Sequence, residues 1–155
     1  MEKTKILFVC LGNICRSPSA EAVMKNLIYK KGEEKRFEID SAGIISAHEG
    51  RPADSRMQTH AKKRGYKLTS ISRPVSLDDF NYFDYIIGMD NQNMADLKSL
   101  SSNINSHAKI VRMMDFAYDS NYDEVPDPYY GGAAGFELVL DLLEDACEGL
   151  YSSIK

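Results

Sequence analysis

The chain has 155 residues, 43% hydrophobic and 27% charged, the composition of an ordinary soluble domain. At that length roughly 68–70% of the unfolded surface can be buried, so the fold needs no disulfide or metal staple. Nineteen Lys and Arg against 23 Asp and Glu leave a net charge of −4, which argues against nucleic acid or an anionic membrane as partner.

No apolar run approaches the ~18 residues of a membrane span. Met1-Glu2-Lys3-Thr4-Lys5 leads into an apolar run too short for a signal peptide, so the chain reads as cytoplasmic. That run, Ile6-Leu7-Phe8-Val9, is continuous and β-prone, as a strand buried on both faces requires. Cys10 to Arg16 follows as a tight connection. Ser17-Pro18 has the form of an N-cap with proline at the first helical position. Behind it Ala20, Val23, Met24, Leu27 and Ile28 make one apolar helix face, with Gly32 as its C-terminal cap. Phe37-Glu38-Ile39-Asp40 alternates as a second strand ending at Ser41-Ala42-Gly43, and a helix from about Asp54 ends at Gly65. Tyr85 to Met89 is a third strand, with Asp90 or Asn91 capping the next helix; Ile110 to Met113 is a weaker fourth. Between Asp115 and Gly135 lies a long irregular stretch of the kind more often functional than idle. Phe136, Val139, Leu140, Leu143, Cys147 and Leu150 then mark one face of a last long helix.

Strands alternating with helices imply right-handed βαβ units. The expected fold is a single-domain three-layer α/β/α sandwich spanning 1–155, with a four-stranded parallel sheet. In such sheets ligands bind beyond the carboxyl ends of the strands, often at the first βα turn.

Cys10, Cys15 and Cys147 are an odd set, which points to thiols in a reducing compartment, not a disulfide framework. No second Cys/His pair offers zinc-ligand spacing, His48, His60 and His107 lie far apart, and no carboxylate cluster suggests a two-metal site. Neither metal nor cofactor is expected.

The first βα turn carries Cys10, five residues, then Arg16 and Ser17. A loop of that length can aim the N–H groups of Leu11, Gly12, Asn13, Ile14, Cys15 and Arg16 at a tetrahedral oxyanion. The next helix adds its positive N-terminal end, and Arg16 can close the ring with a bidentate fork. Gly12 permits backbone geometry that a side chain would obstruct. Cys10 sits at the base of that cradle, in the electropositive setting that favours a thiolate nucleophile. The Ser17 hydroxyl could donate to that sulfur, and Asn13 suits a bracing role because Asn tolerates left-handed backbone. The bland reading is a buried structural cysteine beside a surface arginine. Placement between a buried strand and a Ser-Pro helix start favours catalysis. The loop is neither G-x-x-x-x-G-K-[ST] nor G-x-G-x-x-G, so nucleotide binding has no support.

Val9-Cys10-Leu11-Gly12-Asn13-Ile14-Cys15-Arg16-Ser17-Pro18-Ser19-Ala20-Glu21 resembles the phosphate-binding signature of the low-molecular-weight protein tyrosine phosphatases. Asp40-Ser41-Ala42-Gly43, Phe83-Asp84-Tyr85-Ile86 with Met89-Asp90, and Asp127-Pro128-Tyr129-Tyr130-Gly131 fall in that family's order. The resemblance implies a metal-independent hydrolase of phosphotyrosine and aryl phosphates, working through a phosphocysteine on tyrosine-phosphorylated proteins. It implies that inorganic phosphate or another oxyanion fits the same cradle, with Asn13, Ser17 and Ser41 standing behind it. A monomer is expected.

Protonating the leaving oxygen is typically worth 10²–10⁴-fold. Asp127 is the candidate acid, its loop shape restricted by Pro126 and Pro128, and the resemblance assigns it that role. Tyr129 and Tyr130 are candidate aromatic walls. Ala47 departs from the pattern, because many bacterial relatives have an aromatic residue before the segment matching His48-Glu49-Gly50; a more open pocket is expected. Ser70 stands where relatives often carry a loop-bracing histidine. Cys15, with four residues between it and Cys10, is close enough for a protective disulfide with it. Cys147 repeats with the apolar helix face and reads as core; Asp78-Asp79, the three histidines and Met113-Met114 read as surface or packing.

Three alternatives are weaker. An arsenate reductase needs further cysteines, and none lies between Cys15 and Cys147. A protein arginine phosphatase places threonine where Ile14 stands. A non-catalytic phosphopeptide-binding module would need only the cradle and Arg16.

Overall fold

The structure, a computed structural model, describes residues 2–154. Its strands are β1 (Thr4–Cys10), β2 (Phe37–Gly43), β3 (Tyr85–Gly88) and β4 (Lys109–Arg112), all parallel, in the order β2-β1-β3-β4. Because side chains alternate along a strand, the apolar run of β1 feeds two cores. Ile6, Phe8 and Cys10 face α1 (Arg16–Lys30) and α5 (Ala133–Ile154), while Leu7 and Val9 face Phe80, Phe83 and Leu97. Ile6 to Val9 are fully buried, each side chain contributing roughly 1.5–3 kcal/mol to the fold. The second face is covered by α3 (Asp79–Tyr82) and α4 (Asn91–Leu100), and α2 (Ser55–Lys63) packs beside α5. This is the expected three-layer architecture. No helix among the described residues is long and apolar enough to cross a membrane.

The chain leaves β1 for β2 on one side and then crosses to β3 on the other. The strand order therefore reverses at β1, and the crevice it opens lies beyond the carboxyl end of that strand, where Cys10 sits. Gly32 and Gly65, at φ 69° and 89°, close α1 and α2 with the paired backbone bonds of left-handed C-terminal caps. Asp90 caps α4, its side chain accepting from the Asn93 N–H at 2.7 Å.

Two local expectations need correction. Helix α1 begins at Arg16, not Pro18, and its N-cap is Cys15 with no side-chain cap; the Ser17 hydroxyl is turned to other partners. Strand β2 ends at Gly43, as expected, its register with β1 running to Cys10↔Gly43. Asp79, read as surface or packing, is buried and holds Arg73 at 3.0 Å and the Ser76 N–H at 2.8 Å. Its neighbours form α3, a turn too short to leave a periodic signal.

Candidate active site

Between the end of β1 and the first turn of α1 the backbone is poor in internal bonds. No protein acceptor among the described residues takes the N–H of Gly12, Asn13, Ile14, Cys15, Arg16 or Ser17; the first helical bond is from the Ser19 N–H to the Cys15 carbonyl, 3.3 Å. Buried N–H groups are rarely left unpaired, so six in succession at an uncapped helix start form a concavity with the chemistry to take an anion. The carbonyls face the other way: those of Cys10 and Leu11 accept from Ile44 and Ile45, and that of Ile14 from Asp54. The Gly12 carbonyl accepts from Ser72 Oγ at 2.9 Å. Ser72 is thus the loop brace, whereas the Ser70 hydroxyl is buried without a partner.

Gly12 is needed for a different reason than expected. Its φ is not in the left-handed region; instead a Cβ there would meet His48 Cδ2 at 2.9 Å. The left-handed residue is Asn13, at φ 57° and 1% exposed, a position where Asn is tolerated. Its amide donates to Ser17 Oγ at 2.8 Å and Ser41 Oγ at 3.0 Å, and its oxygen accepts from the Arg73 N–H at 3.1 Å. Ser41 Oγ in turn donates to Glu21 at 2.6 Å, and Glu21 accepts from Lys25 at 2.6 Å. A buried chain of polar groups therefore runs from the surface of α1 to the sulfur. Because Asn13 fills a lone pair of the Ser17 oxygen, the hydroxyl proton is left for Cys10 Sγ at 3.1 Å or the Ala42 carbonyl at 3.4 Å.

Arg16 is almost wholly buried. Its Nη1 donates to Asp90 at 2.6 Å and to the Val125 carbonyl at 3.0 Å, and its Nη2 lies 3.7 Å from Asp127 Oδ2. Burial works against the guanidinium charge, but Cys10, Asp90 and Asp127 outweigh it and hold the group firmly cationic. The thiols differ in kind. Burial, reinforced by Asp54, Cys10 and Asp127, pushes Cys15 well above the ordinary range, so it stays protonated. Cys10, Cys15 and Cys147 are all free and buried, Cys147 in the core as its periodicity predicts.

Cys10, Leu11, Gly12, Ile14, Cys15 and Arg16 line a cleft of about 280 Å³, and Asp127, Tyr129, Tyr130 and Ala47 meet them there. Asn13, Ser17 and Ser41 lie behind the loop. The Tyr129 N–H donates to Asp127 Oδ1 at 3.0 Å, orienting the carboxyl from its own turn. Tyr129 is half-buried, whereas Tyr130 meets it edge-on at 5.0 Å and is 94% exposed, so it stands at the rim. Two lining residues were absent from the sequence-based set. His48, read as surface or packing, lies 5.9 Å from the Tyr129 ring, and Ile45 lines the same mouth. Glu21 carries a signal of its own, a carboxylate on the apolar side of α1 with Lys25 one turn on. No group of three or more His, Cys, Asp or Glu side chains suited to a metal ion occurs among the described residues.

A family model for low molecular weight phosphotyrosine protein phosphatases matches residues 5–155. The chain belongs to this family. It is 45% identical to the low molecular weight protein-tyrosine-phosphatase YfkJ of Bacillus subtilis, over 97% of this chain and 95% of that one. A crystal structure of the protein tyrosine phosphatase from Entamoeba histolytica, with Hepes in its active site, superposes with a TM-score of 0.91 at 49% identity, covering 98% of this chain and 97% of that one. The Drosophila arginine phosphatase superposes with a TM-score of 0.93 at 33% identity, covering 98% of each chain. Membership places the chain among cysteine-dependent phosphoric monoester hydrolases whose substrates are phosphoproteins.

Proposed function

We propose that this phosphatase hydrolyses phosphotyrosine with Cys10 as nucleophile and Asp127 as general acid. The Cys10 thiolate attacks phosphorus in line, the P–O bond breaks, and Asp127 gives its proton to the departing phenolate. Asp127, now a carboxylate, takes a proton from water, which attacks the phosphocysteine and releases phosphate and the thiolate. Through both steps Arg16 and the six loop amides hold the equatorial oxygens, and Ser17 donates to the sulfur. The observation that carries this reading is the run of unpaired N–H groups from Gly12 to Ser17 around Cys10. The test is p-nitrophenyl phosphate hydrolysis in EDTA, wild type against Cys10→Ser. Turnover in the wild type alone is expected; activity surviving the mutation ends the reading. Asp127→Ala should slow phosphotyrosine turnover yet spare binding of inorganic phosphate.

A second substrate is favoured by one observation, the likeness to the Drosophila arginine phosphatase. Ile14 lines the cleft with an aliphatic side chain, which suits an aryl group over a polar guanidino phosphate. Comparing phosphotyrosine with phosphoarginine peptides decides between them. Cys15 is assigned a protective role. Peroxide oxidises the Cys10 thiolate to a sulfenic acid, Cys15 condenses with it, and water leaves as the disulfide forms. Sulfinic Cys10 without a disulfide, in mass spectra after mild peroxide, would remove that role. Three free thiols fit a reducing, cytoplasmic setting.

A further inference from the structure

Asp127 lies on a segment with no regular structure, yet it must meet a leaving oxygen held by a loop 111 residues earlier. Something has to set its position. Upstream of it, the Glu124 carboxylate accepts from the Asn91 N–H at 2.6 Å, at the first residue of α4. Val125, fully buried, donates its N–H to the Met89 carbonyl at 2.8 Å and accepts from Arg16 Nη1 at 3.0 Å. Asp90, the cap of the same helix, holds Arg16. One helix start therefore grips the oxyanion-binding arginine through Asp90 and the strand of chain leading to the acid through Glu124. Between Glu124 and Asp127 there is little slack, because Val125 is packed and Pro126 and Pro128 fix their own φ and restrict the residues before them. A displacement at Glu124 is passed on to Asp127 and is not absorbed on the way.

We propose that Glu124, bonded to the N-terminus of α4, is a positioning residue that sets the general acid Asp127 in register with Arg16. The proposal rests on the assignment of Asp127 as acid. Its carboxylate is well suited to the task, since a negative group at a helix start is held by the unpaired N–H groups and the helix dipole together. Glu124 does not line the cleft, so it acts through Asp127 and not on the substrate.

The test compares wild type, Glu124→Ala, Glu124→Gln and Asp127→Ala on two esters, phenyl phosphate and 2,4-dinitrophenyl phosphate, with inorganic phosphate as competitive inhibitor. The phenolate needs its proton, whereas the dinitrophenolate leaves without one. Glu124→Ala should lower kcat/KM on phenyl phosphate, which reports the step that expels the phenol, by about 10-fold to 100-fold, the order expected when a catalytic group is misplaced by about 1 Å. On dinitrophenyl phosphate kcat/KM should fall less than threefold, with inhibition by inorganic phosphate unchanged. Glu124→Gln keeps an oxygen for the Asn91 N–H and should recover most of the loss. A simple loss of folded protein would lower both esters equally. Equal losses on the two esters, or no loss on either, overturn the proposal while Asp127→Ala still shows the leaving-group difference. If Asp127→Ala shows no such difference, or the wild type hydrolyses neither ester, the assignment of the acid falls and takes the proposal with it.

Discussion

Ser17 Oγ lies 3.1 Å from Cys10 Sγ, and the same oxygen accepts from the Asn13 amide at 2.8 Å. The arrangement leaves the hydroxyl proton to the sulfur, the better acceptor once Cys10 is a thiolate. A hydrogen bond to a charged group is worth about 1.5–3 kcal/mol, or roughly 10-fold to 100-fold. Ser17→Ala is accordingly expected to slow alkylation of Cys10 by iodoacetate at fixed pH and to lower ester turnover by a factor in that range. Unchanged alkylation would show that the Ser17 proton goes to the Ala42 carbonyl instead.

Asn13 does two separable things, adopting a left-handed backbone and supplying three hydrogen bonds. Asn13→Gly keeps the backbone and loses the bonds; Asn13→Ala loses both. Each should impair turnover, and the alanine variant should be less stable than the glycine variant by about 1 kcal/mol in urea unfolding. Equal stability of the two would mean the loop relaxes out of its left-handed turn once the amide is gone.

The root of the segment that carries Asp127 is held by Asp145 on α5. Burial pushes this carboxyl up, but Ser120 Oγ and the N–H groups of Tyr118, Asp119 and Ser120 outweigh it and hold it below the usual carboxylate range. A depressed carboxyl adds stability that is present above its unfolded value, about 3.9, and lost as the pH falls through the lower folded value. Asp145→Asn should therefore be less stable than wild type at pH 7, with the gap closing below about pH 4. Urea midpoints measured across pH 2–7 give the comparison; a gap independent of pH would assign the effect to packing.

Gly149 is where α5 passes closest to the turn before the irregular segment. A Cβ built there falls 1.7 Å from the Phe116 carbonyl oxygen, which is backbone and cannot swing aside. Gly149→Ala must push α5 from its seat, and overpacking of this kind costs typically about 1–3 kcal/mol. Thermal unfolding should shift down by roughly 2–12 °C. An unshifted melting curve would show that Phe116 moves freely.

What could be read in the sequence was local. The continuous run Ile6 to Val9, the five-residue gap from Cys10 to Arg16 and the face repeated through Leu150 are each set within one or two turns of chain. The parts that escaped are joined over long separations. Ser72 reaches the Gly12 carbonyl and the Arg73 N–H reaches Asn13, each 60 residues away, and no periodicity announces such a pairing. His48 looked like a surface residue because only the fold sets it beside Gly12 and Tyr129. Ser17 misled in another way. Its place before a proline matches an N-cap, but the buried thiol competed for its hydroxyl and the helix begins two residues earlier, at Arg16.

Cys10 closes a strand hydrogen-bonded on both sides, whereas Asp127 rides on a segment moored by a few side chains and one buried valine. The two halves of the site thus belong to different cooperative units. Amides of β1, the strand that ends in Cys10, exchange only when the whole molecule opens, and those near Asp127 exchange through smaller, cheaper excursions. On the proposed assignments, a protein beginning to lose its order would go on gripping phosphate after it had stopped releasing phenol.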